Sequence, residues 1–228
     1  MIGRVVLAAL LAGIAAGLIM GAIQHVRITP LILAAEKYES TMPGHDQGAA
    51  ANSPQEEWQP RGGLQRTALT TLASMMAGAG FATILAGISL LTGIPITRQN
   101  GLIWGLCGFL AVSVAAGAGL PPELPAMPSA DLLPRQIWWV GTIAATGTAL
   151  FLIATRREIW ALALAVILIA LPHLIGAPQP PSLETPIPAG LAAEFAANSV
   201  AAAAIFWSLI GVFLGYALQR FSKDIHHT

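Results

Sequence analysis

The stretch VVLAALLAGIAAGLIMGAIQHV, residues 5–26, runs for 22 positions without a charged side chain. A helix rises about 1.5 Å per residue, so this stretch would be roughly 33 Å long and would cross the ~30 Å hydrocarbon core of a bilayer. A secretory signal has a shorter apolar run of about 7 to 15 residues, followed by a small-residue cleavage site. The stretch therefore predicts a retained transmembrane helix.

Similar apolar stretches recur along the whole chain. There are five more, in chain order 67–97, 102–120, 137–155, 159–175 and 195–219. Four of them are long, and 159–175 has only 17 residues. Lipid offers backbone groups no hydrogen-bond partner, and no segment alternates polar and apolar residues as an outer-membrane strand does. The predicted fold is an all-α polytopic membrane bundle of about six transmembrane helices, or five if 159–175 does not cross. We treat 1–228 as a single integral membrane domain.

Composition excludes several classes of protein. Only 10% of the residues are charged, whereas about 25% is usual for a soluble domain, and the 11 basic and 11 acidic side chains balance. That balance leaves no basic footprint for nucleic acid, and a lone Cys107 excludes a disulfide framework or a thiolate metal cluster. The chain lacks GxxxxGK[ST], GxGxxG, HExxH and GxSxG motifs, so we predict neither an enzyme nor a bound cofactor.

The positions of lysine and arginine predict the orientation in the membrane. With six helices and the N-terminus inside, six basic residues fall on the inner side and five on the outer side, of which four belong to one 40-residue loop. When only the short segments are counted, the inner side has six basic residues and the outer side has one. This asymmetry predicts that both termini are cytoplasmic. The Gly-, Ala- and Pro-rich segment 40–60 then becomes a flexible extracytoplasmic linker. If 159–175 does not cross, the C-terminal part inverts.

Glycine repeats at four-residue spacing occur on three of the predicted helices. They are Gly13, Gly17 and Gly21 on the first, Gly101 and Gly105 on the third, and Gly211 and Gly215 on the sixth. Such stripes let membrane helices approach closely. They predict a compact bundle and carry no information about cargo.

Two histidines lie near the predicted outer ends of apolar stretches. His25 stands two residues before Arg27, and His173 follows Pro172. Ionisable groups inside a membrane span usually face the bundle interior or a wet cavity, and neutral imidazole is the commonest side-chain ligand of transition metals. Both histidines are candidate metal ligands. The alternatives are an interfacial hydrogen bond for His25 and a helix-end cap for His173.

Three outer glutamates are further candidate metal ligands. Glu36 and Glu39 are three residues apart in a short interfacial helix that Thr29 and Pro30 are predicted to start, so the two carboxylates would share a face. Exposed carboxylates on a surface helix are more often simply solvated. Glu123 lies in LPPELPAMP, 120–128, where four prolines stiffen the backbone.

Three arginines lie on the same predicted side of the membrane as these glutamates. Two interpretations of Glu123 are open: it pairs with Arg135, or its carboxylate lines a cation entrance. Arg61 and Arg66 are predicted to anchor to lipid headgroups rather than to a substrate.

Several strings along the chain match a known family. They are HV at 25–26, TPLIL at 29–33, AE at 35–36, YE at 38–39, EW at 57–58, GLIWGLCG at 101–108, GLPPELP at 119–125, RQ at 135–136, WW at 138–139 and PHLIGAPQP at 172–180. In these strings the chain resembles the CbtA family of predicted bacterial cobalt transporter subunits. The resemblance implies a multi-pass protein of the bacterial inner membrane that serves cobalt supply for cobalamin. It also implies a small single-helix partner with a His-rich segment, CbtB, and five helices where the apolar stretches give six.

We therefore predict a membrane subunit that carries a divalent transition metal inward, with Co²⁺ as its substrate. Glu36, Glu39 and Glu123 would attract and partly dehydrate the ion, and His173, with His25 nearby, would bind it at a single outward-facing vestibule. Nitrogen and oxygen donors hold nickel, copper or zinc at least comparably, so the metal's identity rests on the resemblance. The alternative is a non-transporting membrane scaffold or assembly subunit of a larger complex.

Overall fold

A computed structural model describes residues 2–39 and 63–223, with side chains described for 2–38 and 63–221. The α-helices are α1 (Ile2–Ile23), α2 (Thr29–Glu39), α3 (Leu64–Thr92), α4 (Gly101–Gly108), α5 (Leu132–Thr155), α6 (Ile159–Ile175) and α7 (Ala189–Lys223). Two π-helical segments adjoin them, Gln24–Ile28 between α1 and α2 and Phe109–Ala115 after α4. The predicted linker 40–60 lies outside the described residues.

The described helices form six rods, because each π segment continues the helix before it. Four rods are long and apolar enough to cross a membrane: Ile2–Tyr38, Leu64–Thr92, Leu132–Thr155 and Ala189–Phe221. The predicted all-α polytopic membrane fold is confirmed. Gly101–Ala115 and Ile159–Ile175 are shorter apolar helices, and at about 1.5 Å per residue the 17 residues of the latter cover roughly 26 Å.

The predicted stretch 67–97 is wrong at its C-terminal boundary. Helix α3 ends at Thr92, and Gly93 follows it with a φ of 70° in the left-handed region. Glycine adopts this conformation without the steric penalty of a Cβ atom, and it is the usual way for a helix to stop. Apolar composition continued past the helix, so a search for uncharged residues could not detect the end.

The short interfacial helix predicted at Thr29 is also corrected. Helix α2 does begin there, but it continues α1 through the π segment, in which the Thr29 N–H donates to Gln24 O. Pro30 lacks an N–H and would break a regular α-helical ladder. A π turn, with its bonding five residues apart, lets the helix pass through that position.

The glycine stripes pack helix against helix, as predicted. Gly13 lies against the backbone of Gly78, and Gly17 lies against the backbone of Met75, so α1 and α3 run antiparallel at close range. A Cβ atom at Gly13 would overlap the Gly78 carbonyl, which explains why glycine occupies this position.

A second close pair is formed by α4 and α7. Gly101 lies against the backbone of Gly211, and Gly105 lies against the carbonyl of Trp207. Gly215 contacts the carbonyl of Thr97, just before α4. Two of the three glycine stripes therefore face each other across one interface.

The rods lie in the order α3, α1, α7, α4, α5, α6. Helix α1 packs between α3 and α7, α7 also packs on α4, α5 contacts the π segment after α4, and α6 packs mainly on α5. Buried Ala9, Ala12 and Ala16 of α1 and Phe206 and Ile210 of α7 belong to one core. Helix α6 therefore lies at the opposite edge of the bundle from α3.

Several of the segments that connect the helices lie at one end of the bundle and bond to one another. Trp138 Nε1 donates to Pro172 O at 3.0 Å, and Thr185 Oγ1 donates to Ala126 O at 3.2 Å. We call this the loop end; it comprises residues 24–39, 63–67, 116–138 and 172–191. At the opposite end, the Arg98 guanidinium lies 4.1 Å from the centre of the Tyr216 ring. All five candidate ligands belong to the loop end.

Candidate metal-binding site

His25 projects from the π segment and is exposed. Its Nδ1 lies 3.0 Å from Thr67 Oγ1, and that hydroxyl also bonds to Gly63 O at 3.2 Å. A hydroxyl has one hydrogen, so when it donates to Gly63 O it accepts the N–H of His25. This tautomer leaves Nε2 with its lone pair, the form of imidazole that binds a metal. The hydrogen bond raised as an alternative is present, and it is compatible with a ligand role.

His173 lies in the last turn of α6 and is exposed. Its ring stands edge-on to Trp138, with centroids 5.8 Å apart and planes at 71°. The helix-end cap comes from the backbone instead, because the Gly176 N–H donates to Pro172 O. Within the described residues the imidazole has no hydrogen-bond partner, so neither ring nitrogen is engaged by another described group.

Glu36 is engaged by an arginine. Arg66 Nη2 lies 2.5 Å from Oε1 and Nη1 lies 3.3 Å from Oε2, so the pair is bidentate. It joins α2 to the first turn of α3. Arg66 was predicted to anchor to lipid headgroups, and in the structure its guanidinium is directed at a carboxylate 30 positions earlier in the chain. Arg61 and the side chain of Glu39 lie outside the described residues.

Glu123 is also paired. Its Oε2 lies 3.2 Å from Arg135 Nη2, and the two side chains are 23% and 30% exposed. The pairing raised as an alternative from the sequence is therefore present. The loop around it is fixed, since Leu124 is 3% exposed and its N–H donates to Met127 Sδ at 3.3 Å.

The candidate ligands share an end of the bundle but do not form one centre. Among the side chains that the structure describes, no three His, Cys, Asp or Glu residues are grouped closely enough to hold a metal ion. His25 and His173 stand on rods separated by α7, α4 and α5. The described candidates therefore do not form a three-ligand metal centre, and the single vestibule expected from the sequence stays a prediction. Their individual assignment as metal ligands stays a prediction.

A comparison with protein families decides what kind of protein this is. The family model described as probable cobalt transporter subunit (CbtA) matches residues 2–219. The chain belongs to the CbtA family. The resemblance found in the sequence is thereby confirmed, and no curated protein and no solved structure matches the chain. This CbtA chain is a multi-pass membrane protein of the cobalt transporter subunit type, and a subunit implies a partner in a complex.

Sequence reasoning missed polar contacts that position the candidate ligands in this CbtA chain. Thr67 bonds to His25, and Ser74 Oγ donates to Gln24 Oε1 at 3.0 Å, so the π segment is tied to α3. The signal in the sequence was the cluster of hydroxyl residues near the start of α3, but only an antiparallel α1–α3 pair brings it to the histidine. Trp138 fits an aromatic belt by its position, and its indole also holds the end of α6.

Proposed function

We propose that this CbtA chain is the multi-pass subunit of a cobalt uptake system in the bacterial inner membrane and supplies Co²⁺ for cobalamin synthesis. The observation that carries the proposal is the family match over residues 2–219, joined with four helices able to cross a membrane. In this proposal the chain is a transporter subunit without enzymatic activity or a resident cofactor, and Co²⁺ is its substrate.

His25 and His173 are the proposed nitrogen donors. Both are exposed at the loop end, and each has a ring nitrogen without a partner among the described residues. Cobalt(II) accepts imidazole together with carboxylate and water oxygens. Because the two rings stand on distant rods, each would bind an ion with other donors.

Glu36, Glu39 and Glu123 are the proposed oxygen donors. Glu36 and Glu123 are each neutralised by an arginine, so an arriving dication would have to displace Arg66 or Arg135. The carboxylates are therefore proposed to attract and partly dehydrate the ion by exchange of partner, a step that costs more than binding to a free imidazole.

The remaining donors are proposed to come from a partner subunit. A small single-helix membrane protein with a His-rich segment, of the CbtB kind, would bring further imidazoles to the loop end. In support of this proposal, neither His25 nor His173 belongs to a group of three ligands among the described residues, so each would need further donors to hold an ion. Inward movement of a cation is favoured by the membrane potential, by about 2.3 kcal/mol per elementary charge per 100 mV.

Uptake of radioactive cobalt in cells that lack the gene tests the proposal. Cells with the wild-type chain should accumulate cobalt in preference to nickel, and His25→Ala and His173→Ala should each reduce the initial rate at least about tenfold, because a metal–imidazole contact is lost. Thr67→Val and Trp138→Phe each remove the hydrogen bond beside an imidazole while the imidazole remains, so they distinguish loss of the ligand from loss of the contact that positions it. Membrane levels of every variant are measured by immunoblot.

The alternative function is a scaffold or assembly subunit that does not itself conduct metal. The observation that favours it is that the described residues lack a three-ligand group, while the glycine stripes are fully used in helix packing. Unchanged cobalt accumulation in the double variant His25→Ala/His173→Ala, at normal protein levels, would support this alternative against transport.

A further inference from the structure

A cavity of about 530 Å³ lies at the loop end beside the Glu123–Arg135 pair. Its walls come from the π segment after α4, the proline-rich loop, the start of α5 and the first half of α7. The volume falls within the range of about 300 to 1,000 Å³ that is usual for small-molecule sites. The candidate metal ligands other than Glu123 do not line it.

The cavity is amphipathic. Apolar side chains form most of the wall, among them Val112, Ala116, Leu132, Trp139, Val200 and Ala203. Leu132, Trp139 and Val200 are 67%, 38% and 42% exposed, so the groove opens on the apolar outer surface of the bundle. The only charged residues of the lining are Glu123 and Arg135, which lie together beside the proline-rich loop.

The Glu123–Arg135 pair has binding capacity to spare. It makes one contact at 3.2 Å, whereas Glu36 and Arg66 make two. Among the described residues, neither Glu123 nor Arg135 has another side-chain hydrogen bond. A carboxylate can accept about four hydrogen bonds and a guanidinium can donate five, so both groups can bind a ligand while they remain near each other.

We propose that this groove binds a zwitterionic phospholipid with a primary ammonium headgroup. Arg135 donates to the lipid phosphate, Glu123 accepts from the lipid ammonium, and one acyl chain lies along the apolar wall between α4, α5 and α7. Each charge of the headgroup then meets an opposite charge, and no net charge enters the site. The indole of Trp139 lies at the boundary between the two parts, a position where tryptophan is favoured in membrane proteins.

The charge pattern favours a ligand that carries both charges, since a simple cation at Glu123 would first have to displace Arg135. A lone cation would meet the Arg135 guanidinium, and a lone anion would meet the Glu123 carboxylate, at a separation where like charges repel. A soluble zwitterion would satisfy the pair but would leave the apolar wall uncovered. A lipid satisfies both parts of the cavity, and a membrane supplies it beside the groove.

Lipid selectivity of the purified full-length chain tests the proposal. Native mass spectrometry would measure retention of phosphatidylethanolamine, phosphatidylcholine and phosphatidylglycerol of identical acyl chains, added at equal concentration. The wild type should retain phosphatidylethanolamine about tenfold more than either of the others, because neither of these carries an ammonium N–H. Soluble phosphoethanolamine, at the same concentration, should not compete.

Two charge variants separate the roles of the pair. Glu123→Gln should lower retention of phosphatidylethanolamine about tenfold towards that of phosphatidylcholine, whereas Arg135→Gln should lower retention of all three lipids, because the phosphate is common to them. Arg66→Gln and Glu36→Gln are matched controls that break the other ion pair at the loop end and should leave lipid selectivity unchanged.

A groove-filling variant tests the apolar part without altering charge. Ala203→Leu places extra atoms in the cavity wall and should reduce phosphatidylethanolamine retention, while Ala201→Leu, an exposed position two residues away on α7 and outside the lining, should not. Size-exclusion elution identifies variants that remain folded. Equal retention of the three lipids by the wild type, competition by soluble phosphoethanolamine, or unchanged selectivity in folded Glu123→Gln protein would each overturn the proposal.

Discussion

Arg66 binds Glu36 through both guanidinium amino groups, with N–O distances of 2.5 and 3.3 Å. The contact joins the last turns of α2 to the first turn of α3, on either side of the segment 40–62 that the structure does not describe. Together with the bond between His25 and Thr67, it fixes the π segment and α2 relative to α3. The two contacts therefore position the candidate ligands His25 and Glu36, and Arg66 also neutralises the charge of Glu36.

Loss of this ion pair should cost little stability. Its side chains are 27% and 37% exposed, and exposed pairs contribute about 0.2 to 1 kcal/mol. A double-mutant cycle with Glu36→Gln and Arg66→Gln, followed by denaturant unfolding in detergent, should give a coupling free energy in that range. The coupling should shrink in high salt because exposed charges are screened. A salt-independent coupling above this range would contradict the partly solvated geometry.

Gly13→Ala should destabilise the chain. The new Cβ would overlap the Gly78 backbone, and forced separation of packed helices costs about 1 to 3 kcal/mol. Gly80→Ala is the matched control, because a Cβ there meets no atom within 4 Å. That control should be neutral or slightly stabilising, since alanine is favoured over glycine in a helix interior by about 1 kcal/mol. Thermal unfolding in detergent measures both, and equal melting temperatures would refute the close approach.

Trp138→Phe should loosen the end of α6. The substitution removes the indole N–H that donates to Pro172 O while it keeps an aromatic ring beside His173. A neutral hydrogen bond contributes about 0.5 to 1.5 kcal/mol, so the free energy of unfolding should fall by that amount. Faster hydrogen exchange should appear near 172–176. Trp139→Phe serves as the comparison, and the idea fails if exchange rises equally in both.

His25→Ala should have a small effect on stability. The lost bond to Thr67 is one interhelical hydrogen bond near the helix ends, and such bonds in membrane proteins average about 0.6 kcal/mol. Thr67→Val should cost at least as much, since it removes the other partner of that bond together with the hydroxyl's bond to Gly63 O. Unfolding of the two single variants and the double variant gives the comparison. Additive losses would show that the two side chains do not interact.

The membrane class, the helical fold and the family could all be predicted from the sequence. Residues 5–26 sufficed for the first helix, because lipid forces backbone groups to bond within a helix and a long uncharged run has no other stable state. The glycine spacing predicted close packing, because glycines four residues apart lie on one face of a helix and let another helix approach. These properties depend on residues near one another in the chain.

Which polar groups meet depends on how the helices pack in the folded chain. Glu36 and Arg66 are 30 residues apart, and nothing in their spacing along the chain predicted that they pair. Their pairing follows from the antiparallel approach of α1 and α3, while the placement of α6 at the far edge separates His173 from His25. Electrostatic contacts extend over a few ångströms, and the folded arrangement of the rods, rather than spacing along the chain, sets which charges come within that distance.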